Sequence, residues 1–425
     1  MVPVEQAPIA AAARPGAAQR RRIVGPGRSI DRMTDQPGPS DDPFANLPMF
    51  GEIARALAGQ GPLNWEAARQ FAHLAATGGA SEPNVEPATR LRYEELAGIV
   101  TMHLLDVTGV DLVFPAPRLV TRAQWAADTL EAYRHLFTEL ATSLGAAGSS
   151  TQPDETEPGD PMMAMMAGLS KLMAPSMLGM AIGSMIGRRA TRAFGVYDLP
   201  IPRDPITMAL IATTIDGFAD EWSVPVDEMR LWVLAHEHTG HLMFSVPHIR
   251  DHLSALVRRH VGAFRTDPDA VADKLASLDL GAGEPMAALQ QAFGDPEVVL
   301  GAIRSPEQLA MQPALDAAVA VVVGYLDWVV DAVAARLIGG DALRIAEAVR
   351  RRRVQPASDD VFVERLLGIR LGDEQVRRGK GFVQGVVDRA GEAGLAPLLE
   401  RPDAMPTPAE VDAPGLWLAR LDAPA

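Results

Sequence analysis

The feature that most constrains this chain is the decapeptide Ala235-His236-Glu237-His238-Thr239-Gly240-His241-Leu242-Met243-Phe244, which closes an apolar run beginning at Leu231. With Asp227 and Glu228 ahead of it, the run predicts a helix, because carboxylates favour the positive end of the helix dipole. On such a helix, histidines four residues apart share one face and can bind Zn²⁺, while the Glu after the first His activates the metal-bound water. This is the H-E-x-x-H arrangement. His236 and Glu237 fill its first two positions, but the second ligand position is Gly240, which carries no donor. His241 comes five residues after His236, roughly 140° around an ideal helix, so the two cannot meet one ion without unwinding it.

Six of the nine histidines fall between 236 and 260, namely His236, His238, His241, His248, His252 and His260. His248 with His252, and Glu237 with His241, form i, i+4 pairs able to face one metal. Three readings stand: an intact catalytic zinc, a rearranged site with His236 and His241 as metal ligands and Glu237 as general base, and a structural motif without metal. The structural reading leads, and in it Glu237 pairs with His241 one turn on or with a nearby arginine. Asp327 and Asp331, on one helix face, are candidate substitute carboxylates. No G-x-S-x-G elbow, P-loop or G-x-G-x-x-G turn is present.

With 425 residues, 48% of them hydrophobic and 22% charged, the chain can bury a large core as one domain or two. A formal net charge of −15 argues against a nucleic-acid or anionic-membrane surface, since both require basic patches. The runs Arg20 to Arg22 and Arg350 to Arg353 read as a solvated tail and a helix end. Absence of cysteine removes disulfides, thiol catalysis and Cys-metal sites, and fits the cytoplasmic location expected here. The first 30 residues hold no secretory signal. The most lipid-like stretch, Met162 to Ile186, is broken by Lys171 and Pro175. Neither half reaches the roughly 20 apolar residues of a span, so no stable membrane span is expected. The stretch reads as a buried Met-rich helical hairpin in which Gly179, Gly183 and Gly187 offer a face for close packing.

Residues 1–42, rich in Pro, Gly and Arg, read as a disordered, dispensable tail within which Met33 is a candidate start. An N-terminal helical region (43–144), a linker (145–160) and a helical domain (161–425) follow. Thr207 to Ile215, rich in β-branched residues, reads as a strand. Pro247 ends the motif helix and starts another from about His248 to Phe264. Further helices are expected near 267–276, 285–293, 296–302, 306–337, 340–353, 359–368, 373–378 and 380–393. The fold class is mainly α, with at most a small β element.

Stretches spread along the chain carry a more specific signal. They include Asp42-Pro43-Phe44, Gly61-Pro62-Leu63-Asn64-Trp65, the Tyr197 to Arg203 turn, Leu231 to Phe244 with Val246-Pro247, and Asp251-His252-Leu253. Ser305-Pro306-Glu307-Gln308, Leu366-Leu367-Gly368, Gln375, Gly379, Phe382, Met405-Pro406-Thr407 with Glu410, and Pro414 to Arg420 complete the set. Through them the chain resembles, over roughly residues 43–422, an actinobacterial zincin-like family of zinc-dependent metalloproteases or hydrolases, sometimes linked by name to coenzyme F420 biosynthesis.

The resemblance implies a zincin-like helical fold, zinc as cofactor, and an H-E-x-x-H helix followed by a second helix with an E-G-H type triplet whose acid is a further ligand. His236 and Glu237 match the first motif, Gly240 replaces its second His, and the triplet becomes Val323-Gly324-Tyr325. The expected protein is therefore metalloprotease-like with a degenerate metal site, with zinc weak or absent and hydrolysis impaired. Its expected ligand is a peptide or protein, not nucleic acid. The alternatives are an active metallopeptidase using a rearranged site, and a non-enzymatic interaction scaffold using the adaptable Met-rich segment. On the leading reading, Gly240→His with Val323→Glu should rebuild two ligands around His236.

Overall fold

Two close helix pairs organise the chain, and glycine makes both. In the computed structural model, which describes residues 61–149, 161–204, 207–266, 302–303, 305–354 and 364–423, helix α1 (Trp65–Thr77) lies along α5 (Pro161–Ala190). A Cβ on Gly179, Gly183 or Gly187 would stand 2.4, 2.2 or 2.3 Å from the carbonyl oxygen of Asn64, Ala68 or Ala72, so only bare backbone fits there. The glycine face expected from the sequence is this contact. The hairpin is not: α5 is continuous through Pro175. Proline removes one N–H from the helical ladder, but here the start of α1 splints the helix across it. Asn64 N–H donates to the Pro175 carbonyl at 3.0 Å, and Asn64 Nδ2 donates to Ser176 Oγ at 3.0 Å.

Between α1 and α5 come α2 (Pro87–Thr108), β1 (Arg118–Leu119), α3 (Arg122–Ala132) and α4 (Arg134–Ser149). Helix α4 continues into the stretch read as linker, where Ala146 and Ala147 are strong helix formers. The segment read as a strand from Thr207 to Ile215 is strand for two residues only. Strand β2 (Ala209–Leu210) pairs in parallel with β1, and α6 (Ala212–Glu221) begins at once. Next come the motif helix α7 (Val226–Ser245), α8 (Pro247–Gly262), and an antiparallel pair, β3 (Arg265–Thr266) with β4 (Ala302–Ile303).

Helix α9 (Pro306–Leu337) is the central core helix, opened by a capping box in which Ser305 and Gln308 exchange backbone and side-chain hydrogen bonds. By length and composition it could cross a membrane, yet 83% of its most apolar stretch is buried within the fold. Its partner in the second close pair is α11 (Asp373–Ala390), which follows α10 (Ala342–Val354). A Cβ on Gly379 would lie 1.9 Å from the Ala320 carbonyl oxygen, and one on Gly324 would lie 2.4 Å from Gly379 backbone. Gly379 therefore sits inside one continuous helix, where the sequence reading placed a break between 378 and 380. Short helices α12 (Ala396–Glu400), α13 (Pro408–Asp412) and α14 (Pro414–Asp422) close the chain. Trp417 buries its ring edge-on to Phe382 and donates Nε1–H to the Ala404 carbonyl at 2.6 Å.

The described residues fall in one unit, mainly α. The expected tail 1–42, linker residues 150–160 and the helices expected at 267–276 and 285–293 lie outside the described residues, as does nearly all of 296–302.

Candidate functional site on the motif helix

Helix α7 is largely enclosed by its neighbours. It packs against α2, α6, α8, α9 and α10, and every residue from Trp232 to Phe244 is buried. Its polar motif residues must therefore find partners inside the protein, and each does.

Glu237 has no exposed surface. Its Oε2 accepts the Val196 N–H at 2.8 Å, and both carboxylate oxygens lie 3.2 Å from the Tyr197 amide nitrogen, which donates to them. Oε1 also meets His236 Nδ1 at 3.3 Å. The expected partner His241 is not among them, because the loop Phe194 to Asp198 reaches the carboxylate first. That loop is anchored from behind: Trp125 Nε1–H donates to the Gly195 carbonyl at 3.1 Å, and Ile211 N–H donates to the Phe194 carbonyl at 2.8 Å. Gly195 is required there, since a Cβ would stand 2.3 Å from the Glu237 carboxylate. Burial pushes the Glu237 carboxyl above the usual range, opposed by the bond to His236.

Gly240, at the second ligand position, is covered rather than open. A Cβ on it would lie 2.6 Å from the Tyr197 ring. Tyr197 stacks on Phe244 with centroids 5.8 Å apart and places its hydroxyl 3.0 Å from His241 Nδ1. Burial, reinforced by the Glu237 charge, raises the phenol's pKa, so the ring stays neutral. Gly240→His would collide with this ring, so the two-residue rebuild expected from the sequence needs Tyr197 removed as well.

His236, His238, His248 and His260 are also engaged, whereas His252 is exposed on α8. His238 holds Nδ1 2.7 Å from the Leu234 carbonyl, packs 4.8 Å from Phe114, and is pushed down to about 4 by burial. The 2.7 Å contact identifies Nδ1 as the protonated nitrogen. His236 stacks on Trp232 at 5.6 Å. His248 Nε2 bonds the Leu398 carbonyl at 2.9 Å, and His260 packs edge-on to Phe264. Of the candidate substitute acids, Asp331 is ion-paired with Arg350 and Asp327 is buried. Val323 is buried on α9, where Gly324 makes the contact with Gly379.

Among the described residues, one group of three could offer donor atoms to a cation: Asp198, His236 and Glu237, with one atom of each within 4.8 Å of the others. His241 lies outside it. Asp198, which the sequence reading did not single out, accepts the Phe194 N–H through Oδ2. Its signal was weak, an acid in a turn 38 positions before the motif. Tyr197 was likewise read only as part of that turn, although a glycine at a ligand position implies that something fills the space.

A model of the zincin-like metallopeptidase family matches residues 63–418. A crystal structure from Chloroflexus aurantiacus, described as a "putative hydrolase with a novel fold", superposes with a TM-score of 0.56 at 22% identity, covering 85% of this chain and 100% of that one. At that identity the likeness concerns the fold. No curated protein matches the chain.

Proposed function

Because the chain belongs to the zincin-like metallopeptidase family, we propose that it is a metalloprotease-like protein whose motif helix has passed from zinc chemistry to structure, and that it binds a peptide or protein without cleaving it. The observation that carries this reading is the state of Glu237, a general base by motif, here wholly buried and bonded to two backbone amides. A zincin base needs an open position beside the metal for its water. Catalytic zinc also needs three protein ligands, and the residues do not fit: Gly240 offers no donor, the Tyr197 ring fills its place, and Val323 is apolar. An apolar groove of about 640 Å³, lined by Val110, Leu112, Leu242, Val246 and Leu399 at the end of α7, supports a peptide side chain as ligand.

Truncating Glu237 distinguishes the roles. Glu237→Ala leaves two buried N–H groups without acceptors, at about 1–3 kcal/mol each, so stability should fall by on the order of 3 kcal/mol. Glu237→Gln should stay near wild type, because one amide oxygen can serve both N–H groups while the NH₂ faces His236 Nδ1. Urea unfolding of both variants measures this. An alanine variant as stable as wild type that loses a chelator-sensitive peptidase activity would overturn the reading.

A second reading rests on Asp198, His236 and Glu237, whose donors are close enough for a rearranged cation site. Binding there would have to compete with the backbone N–H groups already on both carboxylates.

A further inference from the structure

Away from the motif helix, a groove of about 520 Å³ opens between the end of α5, the outer face of α6 and the last turn of α10, with Arg122 from the start of α3 at its edge. Three arginines and one carboxylate, Glu221, line it on a chain whose net charge is −15. Two are engaged: Arg122 pairs with Glu82 at 2.8 Å, and Arg192 Nη2 donates to the Arg352 carbonyl at 3.3 Å.

Arg352 differs. Its guanidinium carbon lies over Phe194, 4.1 Å from the centroid, and 5.2 Å from that of Phe218, and among the described residues its side chain has no hydrogen bond or ion pair. Asp198 and Glu221 favour its charge only through space. Aromatic faces partly offset desolvation of a cation, but the five N–H donors of a half-buried guanidinium call for acceptors. Thr213 and Thr214 line the same groove from the first turn of α6, the helix end that favours an anion, and the buried Thr214 hydroxyl has no partner. Trp222, stacked on Phe218 at 5.7 Å, forms an apolar wall.

We propose that this groove binds a small phosphorylated molecule, its phosphate against Arg352 and the α6 threonines and its organic part against Trp222. Donors converging from α5, α6 and α10 suit a tetrahedral dianion with several acceptor oxygens better than a planar carboxylate. The volume exceeds what phosphate alone would fill. The site shares Phe194 with the loop that reaches Glu237 but does not rest on the role given to the motif helix.

The test uses Gly217 on α6, which lines the groove and where a Cβ would meet nothing within 4 Å. Gly217→Asp therefore adds a negative charge without disturbing packing, and Gly217→Asn is its uncharged control. Inorganic phosphate and phenyl phosphate are titrated calorimetrically into the full chain at constant ionic strength set with chloride. Wild type and Gly217→Asn should bind both saturably, phenyl phosphate the more tightly. Gly217→Asp should weaken both at least tenfold, and so should Arg352→Met. If the methionine variant does not fold, the aspartate variant decides alone. Three results would overturn the site: no saturable binding to wild type, equal affinity in Gly217→Asp, or acetate binding more tightly than phosphate.

Discussion

His238 shows how burial sets the chemistry of the motif helix. Its ring is 1% exposed, and the cost of charging it there holds its folded pKa at about 4 against an ordinary 6.5. A base depressed in this way stabilises the fold fully above its unfolded pKa, and that contribution is lost as pH falls from 6.5 towards 4. The loss should be on the order of 3 kcal/mol, with His241, also depressed by burial, acting in the same direction. Urea unfolding across this range should show a steep fall in wild type and a much shallower one in His238→Leu. Equal slopes would mean that His238 is not neutral in the fold. Glu237 has the opposite sign: its raised pKa gives a contribution present at acid pH and lost as pH rises through the folded value. Glu237→Gln, which mimics the protonated group, should accordingly gain on wild type at alkaline pH. That His236 and Glu237 belong to one motif was legible from spacing. What Glu237 does was not, because its partners at Val196 and Tyr197 lie about 40 residues away.

At the scale of elements, identical residues have opposite effects according to what faces them. A methyl group at Gly183 would stand 2.2 Å from the Ala68 carbonyl oxygen, backbone that cannot move aside without separating α1 from α5. Gly183→Ala should therefore cost about 1–3 kcal/mol, the usual scale of overpacking. Gly98, inside α2, faces open space, and Gly98→Ala should instead stabilise by roughly 0.5–1 kcal/mol through helix propensity. Thermal unfolding of the two variants reads both signs, and a shift in the same direction would refute the backbone contact. Helix extents were legible where caps and prolines mark them, as at Pro306 to Leu337 and Pro247 to Gly262. They were misread at Pro175 and Gly379, where a neighbouring helix overrides the local breaker. The β-branched run after Thr207 misled for a related reason. Only Ala209 and Leu210 find a strand to pair with, and the chain beyond them is free to become helix.

Across the whole molecule, many of the stretches that carry the family resemblance turn out to hold the fold together. Ser305 and Gln308 cap the core helix, Gly379 lets two helices touch, and Thr407, Glu410 and Arg420 tie α13 to α14 through a capping box and an ion pair. The family could be read from these residues because fold and family share them. The fate of the metal site could not, since Gly240 reports a missing ligand but not the Tyr197 ring that covers it. The most direct test of this account is the zinc content of the full chain, purified without a histidine tag and analysed by mass spectrometry after equilibration with zinc and desalting. Far less than one zinc per chain is predicted, with no chelator-sensitive peptidase activity. One zinc per chain in wild type, lost in His236→Ala or Asp198→Ala, would contradict it and place a working metal on the rearranged group.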